Sequence, residues 1–167
     1  MTKLRTALTT AAALAALAFT TNVEAMPGGV HVRGSNGSAT AVAGKRGVAG
    51  RAGGVTTSED GTVTRGSVGG FAGANGSTGA RASTTSVSPD GTVSHQGAAG
   101  TSGARGSAYS EGSFTKNADG TTSGSRTSSA TNNATGNSYS GSTTVDNGQV
   151  SHTGTCTNAS GEVIACR

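Results

Sequence analysis

An Asp-Gly or Asn-Gly pair returns along this chain at nearly constant distance. It stands in "TTSEDGTVTRG" around Asp60, "TTSVSPDGTVSHQG" around Asp90, "FTKNADGTTSG" around Asp119 and "TTVDNGQVSHTG" around Asn147, with separations of 30, 29 and 28 residues. Self-similarity at such a period marks an architecture in which one small supersecondary unit is copied and stacked. Asp60-Gly61, Asp90-Gly91, Asp119-Gly120 and Asn147-Gly148 are each flanked by Thr, Ser and Val, which is the pattern of a β-hairpin. The residues fit a type I turn followed by a left-handed glycine. Pro89 suits the first central position, Asp90 the second, and Gly91 takes positive φ without a Cβ clash.

Between these turns glycine recurs at every third position: Gly44, Gly47, Gly50 and Gly53, then Gly70, Gly73, Gly76 and Gly79, then Gly97, Gly100, Gly103 and Gly106. Period three matches polyproline II, in which one face repeats every third residue. Glycine-rich connectors, either in that form or as flexible linker, are therefore expected between the hairpins. The interval from 120 to 141 has lost the pattern.

What the unit can bury is severely limited. From Met26 onward the 142 residues hold no Leu, no Trp, one Ile, twelve Val and two Phe. That falls below the share of about 20% at which a globular core becomes doubtful. A compact enzyme-like domain is excluded on this ground, because order must come from backbone hydrogen bonds and from neighbouring units. The fold expected is mainly β, a low-complexity array of hairpins about 29 residues apart. A largely disordered chain is the alternative, although a net charge of +3 from Met26 on is low for one.

The first residues, "MTKLRTALTTAAALAALAFTTNVEA", place Lys3 and Arg5 before an apolar run and end on Val23-Glu24-Ala25. This is the layout of a secretory signal peptide, with cleavage expected after Ala25. The run is too short to span a bilayer, which takes about 20 residues, so no membrane anchor is expected after cleavage. The chain then divides into a signal at 1–25, a basic glycine-rich flexible arm at 26–58, a repeat region at 59–150 and a C-terminal cap at 151–167. A secreted, periplasmic or cell-surface location follows. Cys156 and Cys166 are the only cysteines, and in an exported chain so close a pair is expected as a disulfide. It would close a small atypical unit of the kind that ends a repeat array.

Catalytic chemistry finds no foothold. The carboxylates Asp60, Asp90 and Asp119 have a conformational role at turns. No paired carboxylates, nucleophile elbow, phosphate loop or zinc spacing occurs. His31, His95 and His152 are far apart in sequence, and His95 and His152 fill equivalent polar slots of two repeats. Neither a catalytic residue nor a metal or other cofactor is expected.

Two binding features remain. Arg33, Lys45, Arg46 and Arg51 lie in a stretch without acids, and "GKRGVAGRAGG" resembles Arg-Gly segments that hold anionic polymers such as acidic polysaccharide or nucleic acid. Thr62, Thr64, Thr153, Thr155 and Thr157 alternate as on one strand face, a pattern that would also suit ice or glycan. The leading expectation is an exported, non-enzymatic structural protein of the cell surface or matrix, self-associating through its hairpins. A disordered polyanion-binding module comes second and an ice- or glycan-binding array third.

Overall fold

The structure, a computed structural model, describes residues 28–166. Eleven strands follow one another: β1 (Gly28–Arg33), β2 (Gly37–Gly44), β3 (Gly47–Thr57), β4 (Val63–Gly73), β5 (Thr78–Val87), β6 (Val93–Gly103), β7 (Gly106–Lys116), β8 (Thr122–Asn132), β9 (Ser138–Asp146), β10 (Gln149–Thr157) and β11 (Val163–Ile164). Each pairs antiparallel with its neighbours in sequence, so the sheet is one uninterrupted meander in the order β1 to β11. Two strands of about eleven residues with their two turns make up the repeat. The signal-peptide expectation lies outside the described residues.

The aspartate turns form as their residues dictate. Ser58 N–H donates to the Thr62 carbonyl and Gly61 N–H to the Ser58 carbonyl, both at 2.9 Å; Ser88, Gly91 and Thr92, and then Asn117, Gly120 and Thr121, repeat the same pair of bonds. Gly61, Gly91 and Gly120 take φ of 83°, 87° and 86°, the left-handed position that glycine reaches without strain. Each aspartate accepts the amide of the threonine two residues on, at 2.8 to 2.9 Å. The fourth turn departs from the expected type. Asn147 and Gly148 have φ of 47° and 83°, and Asp146 pairs directly with Gln149. This is a two-residue type I′ hairpin, the form that Asn-Gly favours because both central residues tolerate positive φ.

The glycine-stepped segments are strands, not connectors. Gly50 and Gly53 lie in β3, Gly70 in β4 and Gly97 and Gly100 in β6. Side chains alternate between the faces of a strand, so glycine at every third residue thins first one face and then the other. A ladder also satisfies the backbone groups that polyproline II leaves to water. Part of the period has a second origin: Gly44 pairs with Gly47 and Gly103 with Gly106 across two-residue turns. The stretch expected as an arm is likewise paired from Gly28 on, as β1, β2 and β3.

No described residue is buried. The sheet is a single layer with both faces wet, held by its ladders and by cross-strand side-chain pairs. Among these are Thr64 with Ser86 at 3.0 Å, Ser67 with Ser83 at 2.9 Å and Ser138 with Thr157 at 2.7 Å. Each of the four aromatic side chains in the sheet lies against a glycine of a neighbouring strand: Phe71 on Gly79, Tyr109 on Gly100, Phe114 on Gly124 and Tyr139 on Gly154. The ring covers backbone that a glycine would leave bare.

Candidate functional site

Register sorts the charged side chains by face. Arg51, Gly69, Arg81 and Ala99 are successive partners across β3 to β6. Gly112, Arg126, Thr143 and His152 are successive partners across β7 to β10. Following the alternation from these rows puts Arg33, Arg65 and Lys116 on the same face, together with His31 and His95. The strand-borne carboxylates, Glu111 and Asp146, point the other way. One face is thus cationic without an opposing acid; the other is paved with Ser, Thr, Ala and Gly.

The two ends of the sheet also differ. Glu59, Asp60, Asp90 and Asp119 sit in turns at one end, whereas Lys45, Arg46 and Arg105 sit in turns at the other, with Glu162 beside them. Hydrogen bonding lowers the carboxyl of Asp60, through the Thr62 amide and then the Thr62 hydroxyl. At Asp119 the hydroxyl of Thr121 is the larger cause and its amide the second. On the hydroxyl-rich face the Tyr109 phenol donates to Glu111 at 2.8 Å, which raises its pKa.

The cationic face carries two adjoining depressions. A depression of about 680 Å³ crosses β4 to β9, edged by Arg81, His95, Phe114 and Arg126 and floored by Gly97 and Gly112. A second, of about 520 Å³, adjoins it through Arg81 and holds Arg51, Phe71 and Gly79. A β-carbon at Gly97 would stand 3.2 Å from the Ala82 carbonyl oxygen and one at Gly112 2.6 Å from the Ser125 carbonyl oxygen, so both floor positions press on the backbone of the next strand. Arg126 Nε donates to Ser110 Oγ at 2.7 Å, which lays the guanidinium along the floor. Phe71 and Phe114 are 42% and 38% exposed, so their ring faces stay open to a ligand.

The residues named from the sequence are distributed as follows. The aspartate and Asn147-Gly148 turns lie together along the acidic end. Of the polyanion candidates, Arg33 and Arg51 stand on the cationic face, while Lys45 and Arg46 form the tip of the β2–β3 hairpin at the basic end, so the four do not make one patch. The sequence reading missed Arg65, Arg81, Lys116 and Arg126, which share the face of Arg51; their signal is positional parity along strands. Each histidine faces a threonine across the ladder, His31 with Thr40, His95 with Thr85 and His152 with Thr143, with Nδ1 and Oγ1 2.8 Å apart in every case. Among the described residues no three His, Cys, Asp or Glu side chains gather as a metal would need.

Cys156 and Cys166 are joined, with Cα atoms 5.3 Å apart, a bond compatible with an extracellular or periplasmic setting. The cap it closes is small. β11 pairs only with Cys156 and Thr157, so among the described residues β10 from Gln149 to Thr155 remains an open edge, as β1 does on the far side. No family model matches the chain, and neither a curated protein nor a solved structure does.

Proposed function

We propose that this chain is an exported, non-enzymatic structural protein of the cell surface or extracellular matrix, which assembles by pairing the β10 edge of one copy with the β1 edge of the next. The observation that carries this reading is the unprotected edge Gln149–Thr155. Soluble sheets blunt such edges with lysine, proline, bulges or covering segments, and this stretch, "QVSHTGT", holds no lysine and no proline. A single layer without a buried residue also gains most from extension, since every added ladder satisfies backbone groups that are otherwise left to water.

The hairpin geometry supplies a selective test. The turn bond joins Asp146 to Gln149, so hydrogen-bonded and open pairs alternate from there. Val150, His152 and Gly154 then aim their amides outward. Val150→Pro removes an outward donor and leaves the β9 ladder whole; Val150→Lys places a charge beside the edge. The parent chain, processed at Ala25 and concentrated, is expected to sediment as large species and to diffract at the strand spacing of about 4.7 to 4.8 Å. Both variants are expected to stay monomeric, with amide protection in β3 to β8 unchanged. A parent that remains monomeric at every concentration, or a Val150→Pro chain that assembles like it, rejects the reading.

A further inference from the structure

The geometry points to a second role for the cationic face: it binds an acidic polysaccharide laid across the strands along the trough. Every strand-borne cation among the described residues, namely Arg33, Arg51, Arg65, Arg81, Lys116 and Arg126, stands on that face, and Glu111 and Asp146 stand on the other. In a meander with no buried core nothing in packing demands this sorting. Charge complementarity then makes the occupant an anion, and the row of cations over eight strands makes it a long one.

Direction follows from the two ends of the sheet. An anionic chain running along the strands would meet Asp60, Asp90 and Asp119 at the acidic end. Across the strands it passes from Arg51 over Gly69 to Arg81 and on towards Arg126, inside the adjoining depressions.

The side chains on this face favour one class of polymer. Neighbouring strands lie about 4.8 Å apart, and the cations along this path, Arg33, Arg51, Arg81 and Arg126, follow one another at two, two and three strands, whereas Arg65 and Lys116 stand four and six residues off it towards the acidic end. A polyuronate presents a carboxylate on each sugar or on alternate sugars. Guanidinium forks take carboxylates in bidentate fashion, and the open faces of Phe71 and Phe114 suit the apolar face of a sugar ring. The two rings are three strands apart across the sheet and six residues apart along it, about 25 Å in all, too far to stack neighbouring bases.

The test uses the processed, disulfide-bonded chain with polygalacturonate, neutral dextran and single-stranded DNA as probes, titrated at several salt concentrations. Polygalacturonate is expected to bind, to weaken with salt, and to bind better than DNA; dextran is expected not to bind. Arg81→Ser and Arg126→Ser should each weaken binding about two- to fivefold, as exposed ion pairs do, and Arg81→Lys should recover much of the loss. The rim variant Lys45→Ser with Arg46→Ser, and the edge variant Val150→Pro, should bind as the parent does. Absence of polygalacturonate binding, loss caused by the rim variant alone, or tighter binding of DNA through the same arginines overturns the inference.

Discussion

Phe71 on β4 lies over Gly79, its direct partner on β5, and the three atoms nearest to a β-carbon placed at residue 79 all belong to that ring. The aromatic ring and the glycine therefore act as one unit: the ring shields bare backbone, and the missing side chain makes room for the ring.

A double-mutant cycle measures this dependence. Alanine in place of a strand glycine ordinarily adds about 0.5 to 1 kcal/mol of stability through the unfolded chain. Gly79→Ala in the parent should show none of that gain, because the ring is pushed off the sheet. In a Phe71→Ala background the same change should stabilise by the full amount. The coupling expected, about 0.5 to 1 kcal/mol, lies within the range of cross-strand pairs. It can be read from denaturation midpoints or from amide exchange in β4 and β5. Equal effects in both backgrounds would remove the ring–glycine dependence.

Glycines on the trough floor should prove unequal to those elsewhere. A β-carbon at Gly112 would stand 2.6 Å from the Ser125 carbonyl oxygen and 3.0 Å from Cα of Arg126, both backbone atoms of β8, whereas one at Gly66 would meet nothing within 4 Å. Gly112→Ala must part β7 from β8 and is expected to cost about 1 to 3 kcal/mol, in the manner of overpacking. Gly66→Ala is expected to be neutral or mildly stabilising. Loss of amide protection confined to β7 and β8 in the first variant is the signature to look for.

The same contrast separates the features legible in the sequence from those that only the assembled sheet reveals. Asp60-Gly61, Asp90-Gly91 and Asp119-Gly120 announce their turns because the conformations they need are local properties of those residues. The glycine steps misled because strand and polyproline II differ in partner contacts, not in local preference. The cationic face was hidden for a geometric reason. A five-residue turn pairs Val87 with Val93, odd with odd, while the two-residue turn pairs Gly103 with Gly106, odd with even. Arg81 and Arg126 therefore share a face only once every intervening turn length is known. Cys156 and Cys166 needed no such bookkeeping, since proximity in sequence and an exported chain were enough.

Acid should loosen the aspartate turns in a defined window. Asp60 and Asp119 both have carboxyls held below the ordinary 3.8 by threonine hydrogen bonds. A depressed folded pKa means that the stabilising contribution is present above about 3.8 and is lost as pH falls through the lowered folded value. Asparagine keeps an oxygen for the amides of Thr62 and Thr121 but cannot titrate. The paired change Asp60→Asn and Asp119→Asn should thus flatten the acid limb of the stability profile while leaving the turns folded at neutral pH. Amide shifts of Thr62 and Thr121 that titrate in the parent and stay constant in the variant would report it. An acid limb identical in the two proteins would place the acid sensitivity at other groups.

Reduction of the Cys156–Cys166 bond should alter assembly as well as stability. The bond closes a loop with a sequence separation of 10, so removing it costs about 2 to 3 kcal/mol of local stability by loop-closure entropy. β11 is held by only two residue pairs and is expected to detach. Cys156, which follows Gly154 at the same outward parity, then loses its β11 partner and lengthens the open edge of β10. Extension of an edge adds ladder positions for an incoming strand, so the reduced chain, or one carrying Cys156→Ser and Cys166→Ser, should assemble faster than the oxidised parent. Amide exchange should show protection lost at Val163 and Ile164 and retained in β3 to β8. If assembly instead slows in the reduced chain, the disulfide-closed segment contributes to the contact between copies, and β10 is not the edge that grows.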